Sequence, residues 1–206
     1  MAIKNIGRGF IQAVVRQRQQ DGDFTSFQDF CQRMFDCTDM NKRAVENLIR
    51  SGAFDSMGAR RSQLLAVYEK VLDGIGNVRR RNVEGQIDFF GMSAANSTVE
   101  TVVMPDIPEF TATERMHMEK ETTGLYLSGH PMVGYRAAAR SSGAVTLNEI
   151  LEDVSSEEGP TRFADGMPVT VAGIVASSKT RPTKNGTLMA YVVLEDETAS
   201  MELLCF

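Results

Sequence analysis

Ile3-Lys4-Asn5-Ile6-Gly7-Arg8-Gly9 sets two closely spaced glycines directly before a helical pattern. A turn of this build points successive backbone N–H groups outward, and with the first amides of the following helix they can hold a phosphate oxygen. Asn5, Ile6, Gly7, Arg8 and Gly9 are therefore candidate phosphate contacts; the plainer account is an ordinary glycine-rich helix entry. A second turn, Ala53-Phe54-Asp55-Ser56-Met57-Gly58, lies between the pattern Asn41–Arg50 and a helix from Ala59. It adds Ser56, Met57, Gly58, Arg60 and Arg61, with a solvated helix face as the alternative for the two arginines. Gly85-Gln86-Ile87-Asp88-Phe89-Phe90-Gly91 offers different chemistry. A glutamine that fixes register by hydrogen bonds, then an acid and two rings that fill apolar pockets, suits an extended peptide docking in a groove. The alternative is that Ile87, Phe89 and Phe90 fold back on their own domain. Finally, Lys179, Arg181 and Lys184 with Tyr191 supply cations for a single strand's backbone and a ring for a base; Tyr191 reads equally as a core residue.

Catalysis finds no such constellation. The acids are scattered or lie in runs such as Glu157-Glu158, no Walker-type loop is present, and neither His117 nor His130 has a nucleophile or carboxylate at a telling spacing. His130, before Pro131, reads as a turn residue. Cys31, Cys37 and Cys205 form no Cys-x-x-Cys pair, which predicts buried reduced thiols and no zinc. A net charge of −5 argues against a uniformly basic nucleic-acid binder, but the charge is uneven: residues 1–85 carry +4 and residues 86–206 carry −9. A phosphate-binding surface belongs in the first part. The Arg79-Arg80-Arg81 run reads as solvated. With 42% hydrophobic and 24% charged residues, no membrane-length apolar run and no secretory core at its start, the chain is expected in the cytoplasm without membrane contact.

The elements that must position these residues are helical first and stranded last. Apolar spacing predicts helices over Arg8–Gln20, through Phe27 to Met34, over Lys42–Arg50 with Asn41 as N-cap and Gly52 as stop, and over Ala59–Leu72. From Asp73 to about Asp106 the pattern breaks into a linker. A helix resumes near Thr113 and runs to Leu127, followed by short helices at Val133–Arg140 and Leu147–Asp153. Val169–Val175 and Leu188–Leu194 read as strands around an Asn185-Gly186 loop, with Ser200–Phe206 opening a third. Three strands make an incomplete sheet.

The two glycine turns resemble helix-hairpin-helix motifs, which bind the DNA backbone without reading sequence; Asn5 replaces the usual first glycine and Phe10 the usual small residue. Asn41 to Asp55 and Leu125-Tyr126-Leu127-Ser128-Gly129-His130-Pro131 resemble, in order, segments of the C-family bacterial replicative DNA polymerases, the DNA polymerase III alpha subunits. The resemblance implies a multidomain α plus β piece of the C-terminal region. Its parts would be a tandem helix-hairpin-helix domain at 1–75, a linker at 76–110, a helical connector at 111–160 and the first strands of an OB-fold at 161–206. In that family Gln86, Ile87, Asp88, Phe89 and Phe90 stand at the β sliding-clamp-binding peptide, with Phe89 where leucine is common. It further implies that the magnesium-dependent nucleotidyltransferase domains precede Met1, that further OB-fold and a tail for other replicase subunits follow Phe206, and that this piece is not itself an enzyme and carries no cofactor. Its partners would be double-stranded DNA and the clamp. Two other readings stay open: a scaffold module of the replisome, favoured by the net acidity, and a DNA repair protein using the same hairpins.

Overall fold

The computed structural model describes residues 3–37, 39–83, 102–183 and 185–206, and divides the chain into two compact units, Met1–Ser128 and Gly129–Phe206. The clamp-type peptide Gln86–Phe90 and Lys184 lie outside the described residues.

The first unit is helical. Helix α1 (Arg8–Asp21) starts after Gly7 and stops at Gly22. α2 (Phe27–Met34) and α3 (Lys42–Arg50) start where short polar side chains bond the helix's own amides, Ser26 accepting from Asp29 N and Asn41 from Ala44 N. The apolar faces of these helices close one core, in which Phe10, Phe27, Phe30, Ile49, Phe54, Leu64 and Ile75 are buried. Phe10, at the usual small position, fills that core: its ring meets Phe30 edge-on at 6.4 Å, and Phe30 in turn meets Phe54 at 4.9 Å.

α4 (Arg61–Val83) runs well past Leu72, where the glycine-rich sequence predicted an end. Gly74 and Gly76 weaken a helix by about 1 kcal/mol each, but Ile75 between them is buried and Gly76 brings the backbone against the Phe35 ring. Tertiary packing therefore overrides local propensity. Arg79 correspondingly leaves the expected solvated run: it pairs with Asp36 and lies over Phe35. The expected linker is also docked at its far end, where residues 105–109 are hydrogen-bonded to residues 60–63. α5 (Ala112–Thr123) begins with a capping box between Thr111 and Glu114 and stops at Gly124, short of the predicted Leu127. Its two buried residues are polar, Glu119 and Thr122, so a carboxylate and not an apolar stripe docks it.

In the second unit a 3-10 turn (Pro131–Tyr135), in which His130 Nδ1 accepts the Met132 N–H, leads into α6 (Arg136–Ser141) and then α7 (Leu147–Val154). Three antiparallel strands follow in the order β1 (Ile174–Pro182), β2 (Leu188–Glu195) and β3 (Ser200–Cys205). The first strand begins later than Val169, and Val171 makes only an isolated parallel bridge with Val145. Gly173 explains where pairing starts: a Cβ there would lie 2.7 Å from Leu194 Cγ and 2.8 Å from the Glu195 carbonyl, so only glycine lets the backbones approach. The acids 195–197 are not simply a charged turn. Asp196 accepts from Leu147 N at the start of α7 and from Thr198 N and Ala199 N, and Glu197 pairs with Arg136. No described helix is long and apolar enough to cross a membrane.

Of the cysteines only Cys31 is fully buried, its thiol pushed up to about 12 by desolvation; Cys37 is half-buried and Cys205 exposed.

Candidate nucleic-acid interface

The first hairpin is built as an exposed turn on a fixed base. Ile6 is buried in the helical core, while Lys4, Asn5, Arg8 and Gly9 are exposed. Asn5 takes φ 61°, a left-handed conformation that asparagine tolerates better than most residues. From below, Lys4 N donates to Thr122 O at 2.8 Å and Asn47 Nδ2 donates to Lys4 O at 2.8 Å, so α3 and α5 together hold the turn. Gly7 makes no side-chain cap bond, and the first turn of α1 contains no acid. One carboxylate does lie close. Asp39 Oδ2 sits 3.1 Å from where a Gly9 Cβ would be, so an acid from the α2–α3 connection borders the site, and any side chain at Gly9 would press on it.

The second hairpin is different. Its tip, Ser56 and Gly58, is exposed and Met57 half-buried, but the arginines that follow are engaged. Arg60 Nη1 donates to Ile107 O at 2.7 Å and pairs with Asp106. Arg61 is 3% exposed and corrects both expectations for it, phosphate ligand and solvated face. Its guanidinium donates to Asp55, to Arg50 O and, at 2.8 Å, to Glu119. Gly52 permits this: it sits at φ 83°, and the guanidinium occupies the space a Cβ would take.

Glu119 completes the lock. Besides Arg61, it accepts from Leu127 N, Ser128 N and Ser128 Oγ at 2.8–3.0 Å, and so anchors the start of Leu125–Pro131. Burial alone would raise its pKa, but those donors and Arg61 outweigh it and hold the carboxyl below its ordinary value. Glu109 behaves alike: N–H groups of Phe110, Arg61 and Ser62 overcome desolvation and lower its pKa. Asp39, Glu109 and Glu119 were not among the candidates, because nothing in their local sequence signals partners tens of residues away.

In the second unit, Lys179 and Arg181 lie on β1 and not in the loop expected after it. Register pairs Lys179 with Tyr191 and Arg181 with Met189, which puts both cations and Tyr191 on one face of the sheet. Arg181 lies 6.0 Å from the Tyr191 ring centre. Among the described residues no three His, Cys, Asp or Glu side chains are placed to hold a metal ion.

Comparison with known proteins agrees with the hairpins and extends beyond them. Residues 1–64 match a family model described as a helix-hairpin-helix motif. The whole chain aligns with DNA polymerase III subunit alpha of Vibrio cholerae at 33% identity, of Thermus aquaticus at 32% and of Mycobacterium leprae at 31%. The chain spans only 16–17% of the length of these relatives. From end to end, the chain is thus homologous to one segment of the bacterial DNA polymerase III alpha subunits.

Proposed function

We propose that this chain is a non-catalytic DNA-holding segment of a cytoplasmic bacterial replicative polymerase, binding the duplex backbone without reading sequence and docking on the β sliding clamp. The observation that carries the reading is the end-to-end homology, in which the matched helix-hairpin-helix segment coincides with an exposed, uncapped hairpin at Asn5–Gly9. Backbone amides there would donate to a phosphate at any base sequence. Gln86–Phe90 would be the clamp peptide, with the glutamine setting register and Phe89 and Phe90 filling pockets. The three-stranded sheet would be the beginning of an OB-fold whose Lys179, Arg181 and Tyr191 face follows single-stranded DNA. Polymerisation and its metal ions would belong to other parts of the polymerase. Two tethers, each weak, would make re-binding of a primer end a local event.

The test is titration of the chain into two labelled duplexes of unrelated sequence at low salt, and into the β clamp. Saturable binding to both duplexes with equal affinity, and to the clamp, is expected. Binding to neither partner would overturn the reading; clamp binding alone would favour a scaffold.

A further inference from the structure

At the start of α4 the amides of Arg60, Arg61 and Ser62 and both arginine side chains already have acceptors from this chain. Arg61 N donates to Glu109 Oε2 at 2.8 Å and Ser62 N to Glu109 Oε1 at 3.1 Å. The preceding amide, Arg60 N, is taken by Gln63 Oε1 at 3.0 Å. The Arg60 side chain holds Ile107 O and Asp106, and Arg61 lies buried between Asp55 and Glu119. Gln63 Nε2 adds a bond to Pro105 O at 2.8 Å. A carboxylate that takes two successive amides at a helix N-terminus does what a phosphate does there: it accepts the unpaired N–H groups and meets the positive end of the helix dipole.

We propose that the second hairpin is the anchor for the returning strap 102–110, with Glu109 standing where a phosphate would stand, and that duplex DNA is gripped by the first hairpin alone. This rests on the DNA-binding reading above and narrows it. The strap joins Glu109 to the hairpin within one molecule, so it forms without the loss of translational freedom that a DNA phosphate would suffer on entering the same place. Its Asp106 and Glu109 join Asp55 and Glu119 around the α4 start, a field that repels a polyanion. The first hairpin keeps Arg8 and Lys4 exposed, and among the described residues its helix start has no side-chain cap bond.

Duplex affinity of the full 206-residue chain at low salt decides the matter, measured for Arg8→Ala, Arg60→Ala, Glu109→Ala and the double variant Glu109→Ala/Arg60→Ala. The expected pattern is severalfold weakening by Arg8→Ala and no change with Arg60→Ala. Glu109→Ala should tighten binding severalfold, and adding Arg60→Ala should cancel that gain. Weakening by Arg60→Ala equal to that by Arg8→Ala would overturn the inference while leaving DNA binding intact. Failure of the unsubstituted chain to bind duplex would sink the underlying reading as well. Should Glu109→Ala loosen the domain, the half-exposed Arg60 still decides between the hairpins.

Discussion

Glu119 is a carboxylate with almost no water contact, and its partners account for its survival there: one guanidinium, two backbone amides and a hydroxyl. Removing one member of such a buried pair strands the other, which costs about 3 kcal/mol or more. Glu119→Ala should therefore lower the unfolding free energy measured by denaturant titration by that order, and Glu119→Gln by clearly less; equal stability of the alanine variant would mean that Arg61 is adequately held by Asp55 alone. At the first hairpin the same charge logic acts on binding. Asp39 lies beside the proposed phosphate position, so Asp39→Asn should raise duplex affinity by roughly a few-fold at low salt and by less as salt screens it. Unchanged affinity in a fluorescence titration would place the phosphate elsewhere. These acids show where sequence reading stops. Asn41, Gly52 and the hairpin glycines announce themselves because cap and turn chemistry is local, whereas Arg61 and Glu119 meet across 58 positions and neither type predicts the other.

Carboxylates mark helix starts in this chain: Glu114 and Glu149 cap their own helices, α5 and α7, while Glu109 ties the strap to α4 and Asp196 ties the β2–β3 turn to α7. Each of these has its pKa lowered in the folded protein, Glu114 chiefly by the Thr111 N–H and the others by donors that outweigh any burial. A lowered folded-state pKa means stability that is complete above the ordinary carboxylate range and lost as pH falls through the folded-state values. Docking of the strap and of α5 should thus be insensitive to pH near neutrality and weaken progressively below about pH 4. Amide exchange at Arg61 and Ser62 that stayed equally protected at pH 3 and pH 6, after correction for intrinsic rates, would contradict this. In the sheet, Gly173→Ala would force a methyl into the Glu195 backbone, which cannot yield as a side chain tip can; a loss of about 1–3 kcal/mol, read from thermal melting, is expected. The same contact explains the misplaced first strand. Val169–Val175 has strand composition, but pairing begins only after Gly173 and then continues through Lys179 and Arg181, residues whose polarity suggested a loop. Likewise the sequence around Gly74 and Gly76 breaks helical propensity, and only Phe35 and the buried Ile75 show why α4 continues.

For the molecule as a whole, the uneven charge matters more than the net −5: the hairpin-bearing part is +4 and the remainder −9. Such a distribution would draw a polyanion toward residues 1–85 and away from the rest. On the proposed reading one hairpin would touch few phosphates, so duplex binding would be weak and a second tether would be needed for sustained contact. If Gln86–Phe90 supplies that tether, the double substitution Gln86→Ala and Phe90→Ala should abolish saturable binding to the β clamp and leave duplex affinity untouched. Retained clamp binding would return those residues to a structural role. The most direct test of the central claim is the salt dependence of duplex binding by the unsubstituted chain. Contact through one hairpin to about two phosphates predicts that log K falls against log salt with a slope of about −2, the same for unrelated sequences. A slope several times steeper would demand a far larger basic surface than one hairpin, and no binding at low salt, or an affinity that follows base sequence, would contradict a backbone-holding role.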